Sequence, residues 1–96
     1  MRLFWAPQAL ADRRAIYDYI EADNPSAALA LDEQFSQKAS NLLDHPGLGR
    51  PGRVTGTREL VTHQNYILVY DIGGDSDGDM IRVLRVLHAA KQWPPA

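Results

Sequence analysis

The chain has 96 residues and a mass of 10.7 kDa, which leaves room for one domain, residues 1–96, and excludes two. Its formal net charge of -2 does not suit a protein that coats nucleic acid, and the absence of cysteine excludes disulfide scaffolds, thiolate zinc sites and cysteine nucleophiles. Because it has neither a signal peptide nor an apolar run of membrane length, we expect a cytoplasmic protein that does not bind membranes.

The first half of the chain predicts one strand and two helices. Residues 2–5 form a short run with aromatic side chains, which is typical of a strand. Pro7 suits the first turn of a helix, and apolar residues recur at helical spacing over residues 7–22. Asn24, which a proline follows, is a typical helix cap, and a second apolar stripe predicts a helix over residues 25–43. The short connection between the helices indicates an antiparallel hairpin.

The second half predicts a loop and then three strands. Residues 45–53 hold two prolines and three glycines, so this segment is a loop, and it carries Arg50 and Arg53. The predicted strands cover residues 57–62, 66–72 and 81–88. The middle strand consists almost entirely of β-forming residues, which favours a central position with both faces buried. The sequence therefore predicts an α+β fold of order β-α-α-β-β-β, in which the helical hairpin covers one face of a sheet rich in antiparallel pairs.

The predicted hairpin turn at residues 73–79 carries aspartates at alternate positions. An EF-hand calcium loop that began at Asp75 would need glycine and glutamate where Met80 and Val86 stand. The three histidines are not spaced as metal ligands either. We therefore expect a solvated turn, no metal ion and no other cofactor.

Arginines are the most distinctive candidates for binding. Strict alternation along the last strand would put Arg82 on the face of His88 and Arg85 on the opposite face, so one of the two arginines would lie beneath the helices. A buried arginine needs a partner, and Glu59 is the candidate. Arg50 and Arg53, together with Arg58 beyond the loop, could bind phosphates or the acidic side chains of a partner.

Several segments together resemble the RelE/ParE toxin superfamily. They are Asn24-Pro25-Ser26-Ala27-Ala28, Gly49-Arg50-Pro51-Gly52-Arg53-Val54, Gly56-Thr57-Arg58-Glu59-Leu60-Val61, Tyr66-Ile67-Leu68-Val69-Tyr70 and Arg82-Val83-Leu84-Arg85-Val86-Leu87-His88-Ala89-Ala90. The resemblance extends from about Trp5 to Trp93. It implies the toxin of a bacterial type II toxin–antitoxin pair, which forms a hetero-oligomer with an acidic antitoxin similar to ParD or RelB and is neutralised by it.

Members of this superfamily have two activities: RelE-like toxins cleave mRNA on the ribosome, and ParE-like toxins inhibit DNA gyrase without being nucleases. Several positions depart from the RelE pattern, since Leu60 and Ile67 replace basic residues, Lys91 replaces an arginine, and the tyrosine that usually follows is missing. The resemblance therefore favours the ParE-like branch, which is not enzymatic.

Two alternatives remain. As a metal-independent endoribonuclease, the protein would use its basic residues to stabilise the phosphate and His88 as the acid or base. The candidate catalytic residues are then Arg53, Arg58, Arg82, His88 and Lys91. The protein could instead be an inactive relative that only binds an antitoxin. In every case the candidate binding residues are Arg50, Arg53, Arg58, Arg82, Arg85, Lys91 and Trp93.

Overall fold

The computed structural model describes residues 1–63, 65–75 and 78–95, and these contain two helices and five strands. In chain order they are β1 (Arg2–Trp5), α1 (Pro7–Glu21), α2 (Pro25–Asp44), β2 (Arg50–Pro51), β3 (Arg58–His63), β4 (Tyr66–Asp75) and β5 (Gly78–His88). The predicted order is confirmed, and the two-residue β2 is added within the predicted loop. Strands β4 and β5 also extend into the predicted turn at residues 73–79, of which Ser76 and Asp77 lie outside the described residues.

The helical hairpin forms where the sequence predicts it. A proline opens each helix, and the Asn24 side chain caps α2 by accepting a hydrogen bond from the Ala27 N–H at 3.1 Å. Arg13 of α1 then joins the helices through Asp32 of α2, at 2.8 and 2.9 Å, and its guanidinium lies 4.5 Å from the centre of the Trp5 ring. One arginine thus ties both helices to β1.

The sheet has the strand order β1-β5-β4-β3-β2. Strands β2 to β5 pair in antiparallel fashion, whereas β1 runs parallel to β5, with Leu3 opposite Ile81. The parallel pair is possible because the helical hairpin carries the chain across the sheet between its first strand and the others. In the described residues, neither helix is long and apolar enough to cross a bilayer.

The centre of strand β4 is buried on both faces, as predicted, whereas Ile72 at the end of the predicted span is 44% exposed. Leu68 and Tyr70 face a core shared with the helices, and Ile67 and Val69 belong to a smaller cluster on the other face. Among the described residues that smaller cluster contains no helical side chain. We call this side of the sheet the open face.

The prediction that Arg82 and Arg85 lie on opposite faces of the sheet is wrong, because β5 contains a β-bulge between them. Arg85 is paired with Val69 and Arg82 with Asp71, so that Leu84 is an extra residue in β5. The extra residue shifts the alternation by one position. Both arginines therefore start on the open face, and neither takes Glu59 as its partner.

Candidate partner-binding site

The loop of residues 45–57 is held against the sheet by side chains from the strands. The Tyr70 hydroxyl donates to the Pro46 carbonyl at 2.7 Å and accepts from the Gly49 N–H at 2.9 Å, and Arg58 donates to the Gly49 carbonyl at 2.8 Å. Gly49 is required by this close approach, since a Cβ there would lie 2.8 Å from the Tyr70 ring. The glycine-rich loop is therefore held in a defined conformation.

Glu59 is the buried anchor of the same loop. It is 2% exposed and accepts the backbone N–H of Arg53 at 2.9 Å. The guanidinium groups of Arg53 and Arg50 approach its carboxylate at 3.6 and 3.5 Å. A buried carboxylate must be paired, and here two arginines share one negative charge. The loop arginines, rather than those of β5, are therefore the partners of Glu59.

A concentration of positive charge follows from this arrangement. An Arg53 guanidinium nitrogen lies 3.5 Å from the Lys91 carbonyl oxygen, which brings the chain after β5 next to the loop. Arg58 binds carbonyl oxygens of the loop and has no ion pair among the described residues. We call Arg50 and Arg53 the cationic cluster. Among the described residues both make an ion pair with Glu59, so one negative charge opposes two cations. Arg58 lies opposite Tyr70 in the register and so starts on the face covered by the helices, and Lys91 contacts the loop through its backbone carbonyl.

The two β5 arginines are neutralised within the fold. Arg82 makes a bidentate pair with Asp71 at 2.7 and 2.8 Å, and this pair raises the pKa of the arginine. Arg85 makes the same kind of pair with Asp12 of α1 at 2.7 and 3.1 Å, and Asp12 also accepts the Val86 N–H at 3.0 Å. Burial alone would raise the pKa of Asp12, but these hydrogen bonds hold it below its usual value.

His88 and Lys91 line a separate cleft of about 260 Å³ between α1 and the end of β5, together with Asp12 and Tyr66. The ring centres of His88 and Tyr66 lie 5.3 Å apart at a steep angle. The Nδ1 atom of His88 accepts the Ala90 N–H at 3.1 Å, so the neutral imidazole carries its proton on Nε2. This histidine can present an N–H to a ligand in the cleft.

The candidate nuclease residues do not form one constellation. Arg82 lies six positions before His88 in β5, which is roughly 20 Å along a strand. Arg58 lies in β3 and is directed at glycine carbonyls. The structure brings His88 and Lys91 together, and Arg53 next to Lys91, but leaves Arg82 at a distance.

Trp93 lies on the open face over Ile67, Val69 and Leu87. The Arg85 guanidinium carbon is 5.1 Å from the centre of its ring. Its Nε1 atom is buried and has no acceptor among the described residues. Trp93 was predicted from the sequence as a binding residue, but its place over its own sheet was not predicted.

The two acids that neutralise the arginines of β5 were not predicted from the sequence. Asp71 could have been found from a hairpin register, because it lies directly opposite Arg82 in the neighbouring strand. Asp12 is 73 residues away from Arg85 along the chain, and no local pattern reveals such a pair. Within the described part of the chain, no group of three or more histidine, aspartate or glutamate residues is arranged to hold a metal ion.

Comparison with known proteins decides the family. The family model of the ParE toxin of the type II toxin–antitoxin system parDE matches residues 3–93. The chain belongs to the ParE toxin family. It is therefore a type II toxin of the ParE/RelE superfamily, and the predicted membership is confirmed.

Individual relatives of this ParE-family chain agree. It is 38% identical over 94 residues to Y4kP of Sinorhizobium fredii, covering 97% of this chain and 93% of that protein. Toxin RelE2 of Caulobacter vibrioides is 34% identical over 90 residues, covering 94% and 97%. A solved structure of the chromosomal ParDE system from P. aeruginosa superposes with a TM-score of 0.79 at 28% identity, covering 92% of this chain and 95% of that one. These relatives carry the names of both superfamily branches.

Proposed function

We propose that this ParE-family toxin inhibits DNA gyrase by binding it in the bacterial cytoplasm, and that a cognate acidic antitoxin neutralises it. The observation that carries the proposal is the separation and neutralisation of Arg82, one of the arginines that a nuclease would need. Arg82 is committed to Asp71 and lies roughly 20 Å from His88 along the strand.

The chemistry of RNA cleavage explains why this separation matters. Transfer of a phosphoryl group needs cations that converge on the phosphate, together with an acid and a base within hydrogen-bonding distance. A bidentate carboxylate already compensates Arg82, and carbonyl oxygens of the loop hold Arg58. An inhibitor that acts by binding needs a complementary surface but no convergence of cations on one phosphate.

The cationic cluster supports the antitoxin part of the proposal. Its surplus of positive charge lies beside the open face, because Arg50 and Arg53 pair with Glu59 and Glu59 lies opposite Val69 in the register. Acidic side chains of a partner could pair with it there. The solved ParDE structure concerns a toxin–antitoxin system of the same kind. We therefore propose a hetero-oligomer of this toxin with its antitoxin.

A second candidate function, ribosome-dependent mRNA cleavage, is favoured by one observation. His88 and Lys91 line the same cleft, which gives a proton donor and a cation side by side. A nuclease built on this pair would work without Arg82.

Two assays test these functions together. The purified toxin is added to a gyrase supercoiling reaction and, separately, to translating ribosomes with a reporter mRNA. We expect loss of supercoiling with intact mRNA. Cleavage of the mRNA with normal gyrase activity would overturn the proposal in favour of the nuclease, and inactivity in both assays with tight antitoxin binding would identify an inactive relative.

Substitutions sharpen the comparison. His88→Ala should leave gyrase inhibition intact, because the proposed mode of action needs no acid or base, whereas it should abolish cleavage by a nuclease. His45→Ala is the matched control, since His45 is exposed in the turn after α2, away from the β5 cleft.

A further inference from the structure

The chain after β5 folds back over its own sheet. We call residues 89–95 the C-terminal strap. Its start is fixed by backbone hydrogen bonds, since the Ala89 N–H donates to the Asn65 carbonyl at 2.6 Å and the Lys91 N–H to the His88 carbonyl at 2.9 Å. Beyond Lys91, the described contacts of the strap are those of Trp93 on the open face.

Trp93 covers an apolar patch that would otherwise face solvent. Ile67 and Leu87 are each 2% exposed and Val69 is fully buried, although among the described residues their apolar cluster includes no helical side chain. The strands therefore provide a ready slot for one large apolar side chain, and the strap fills it.

The position of Trp93 leaves one polar group without a hydrogen bond among the described residues. Its Nε1–H is buried without an acceptor in the described part of the chain, and such a donor costs free energy because it has lost its hydrogen bond to water. Release of the indole would restore that hydrogen bond. This cost opposes the gain from burying the ring, so the strap is held more weakly than the area it covers suggests.

The residues around the slot determine which side chains of a partner could replace Trp93. Arg53 contacts the Lys91 carbonyl within the strap, and Arg50 shares Glu59 with Arg53. The cationic cluster therefore borders the slot and attracts acidic side chains, while the slot itself accepts an aromatic or large aliphatic one.

We infer that the strap occupies a docking slot, and that an acidic peptide segment with one bulky apolar side chain displaces Trp93 and binds there. We identify this segment as part of the antitoxin, and that identification rests on the proposed function. Nucleic acid suits the slot less well, because the walls of the slot are aliphatic and offer no aromatic platform once Trp93 has left.

Trp93 itself reports on the displacement. In a Trp5→Phe variant Trp93 is the sole tryptophan, so its fluorescence can be followed alone. The probe is a short synthetic peptide of glutamates around a single phenylalanine, and a peptide with serine in place of the phenylalanine is its control. We expect the phenylalanine peptide to shift the emission of Trp93 to longer wavelength and to expose it to a soluble quencher. Binding without either change would overturn the inference.

A second variant does not depend on fluorescence. Trp93→Ala empties the slot and removes the competing side chain. This variant should therefore bind the phenylalanine peptide more tightly, on the order of tenfold. The control variant Pro95→Ala should bind the peptide with the affinity of the unaltered chain. Equal or weaker binding by Trp93→Ala, or equally good displacement by a single-stranded RNA oligonucleotide, would refute the slot. Gyrase inhibition is measured separately, so failure of the docking inference and failure of the proposed function remain distinguishable.

Discussion

Removal of the Asp12 carboxylate tests whether the ion pair between α1 and β5 stabilises the fold. Asp12→Ala breaks the bidentate pair with Arg85 and the bond to the Val86 N–H, at distances of 2.7 to 3.1 Å. The two charged side chains are 11% and 17% exposed. Breaking a buried pair costs about 3–5 kcal/mol, and because some exposure remains we expect about 3 kcal/mol. That loss corresponds to a fall in Tm of roughly 15 °C for a chain of this size.

The assay is urea denaturation, with Asp18→Ala as the matched control. Asp18 lies in the same helix and pairs with Arg14, but these side chains are 53% and 77% exposed. Both substitutions change helix propensity alike, so the difference between their losses in unfolding free energy isolates the buried pair. Asp18→Ala should lower the unfolding free energy by less than about 0.5 kcal/mol. Equal costs for the two variants would refute the reasoning.

The pH dependence gives an independent check of the same pair. Because the pKa of Asp12 is held below its usual value in the fold, its contribution is complete above the pKa of the unfolded chain and is lost as the pH falls through the folded value. The stability difference between the unaltered chain and Asp12→Ala should therefore be constant near neutrality and shrink below about pH 4. A difference that grew on acidification would have the wrong sign.

Three further predictions concern the loop and the open face. Gly49→Ala should cost about 2 kcal/mol because its Cβ would lie 2.8 Å from the Tyr70 ring, whereas Gly47→Ala, with nothing within 4 Å, should be close to neutral in the same denaturation assay. Tyr70→Phe removes two hydrogen bonds that hold the loop and should cost about 2 kcal/mol with faster proteolysis within residues 45–57; unchanged proteolysis would contradict the loop's anchoring. Arg82→Ala should cost less than about 1 kcal/mol, because that side chain is 47% exposed, and should leave gyrase inhibition unchanged; lost inhibition would place Arg82 in the target interface.

Local pattern was sufficient for most of the fold. The apolar periodicity and the capping residue Asn24 predicted both helices, and the run of β-forming residues in β4 predicted a strand buried on both faces. Helix periodicity, helix capping and an apolar strand depend on residues that are close to one another along the chain. Such local patterns can be recognised in the sequence directly. The resemblance to the toxin superfamily used the same segments.

The candidate site could be predicted only in part. The sequence pointed to Arg50, Arg53 and Arg58 as binding residues, and the structure brings them around the anchored loop. It could not show that Arg82 and Arg85 share a face, because a single bulge residue reverses the alternation on which that assignment depended.

The sequence by itself determined the helices, the central strand, the family and the residue types that could bind a partner. Only the tertiary structure decided which of those residues are neutralised by an acid within the fold and which can still pair with a partner. Asp12 reaches Arg85 across 73 residues, and Trp93 returns to cover Ile67 and Leu87. The physical reason is that neutralisation and burial depend on contacts between segments distant along the chain, and no periodicity within a segment encodes them. The net charge of -2 therefore hides a local surplus of cations that appears only when the chain is folded.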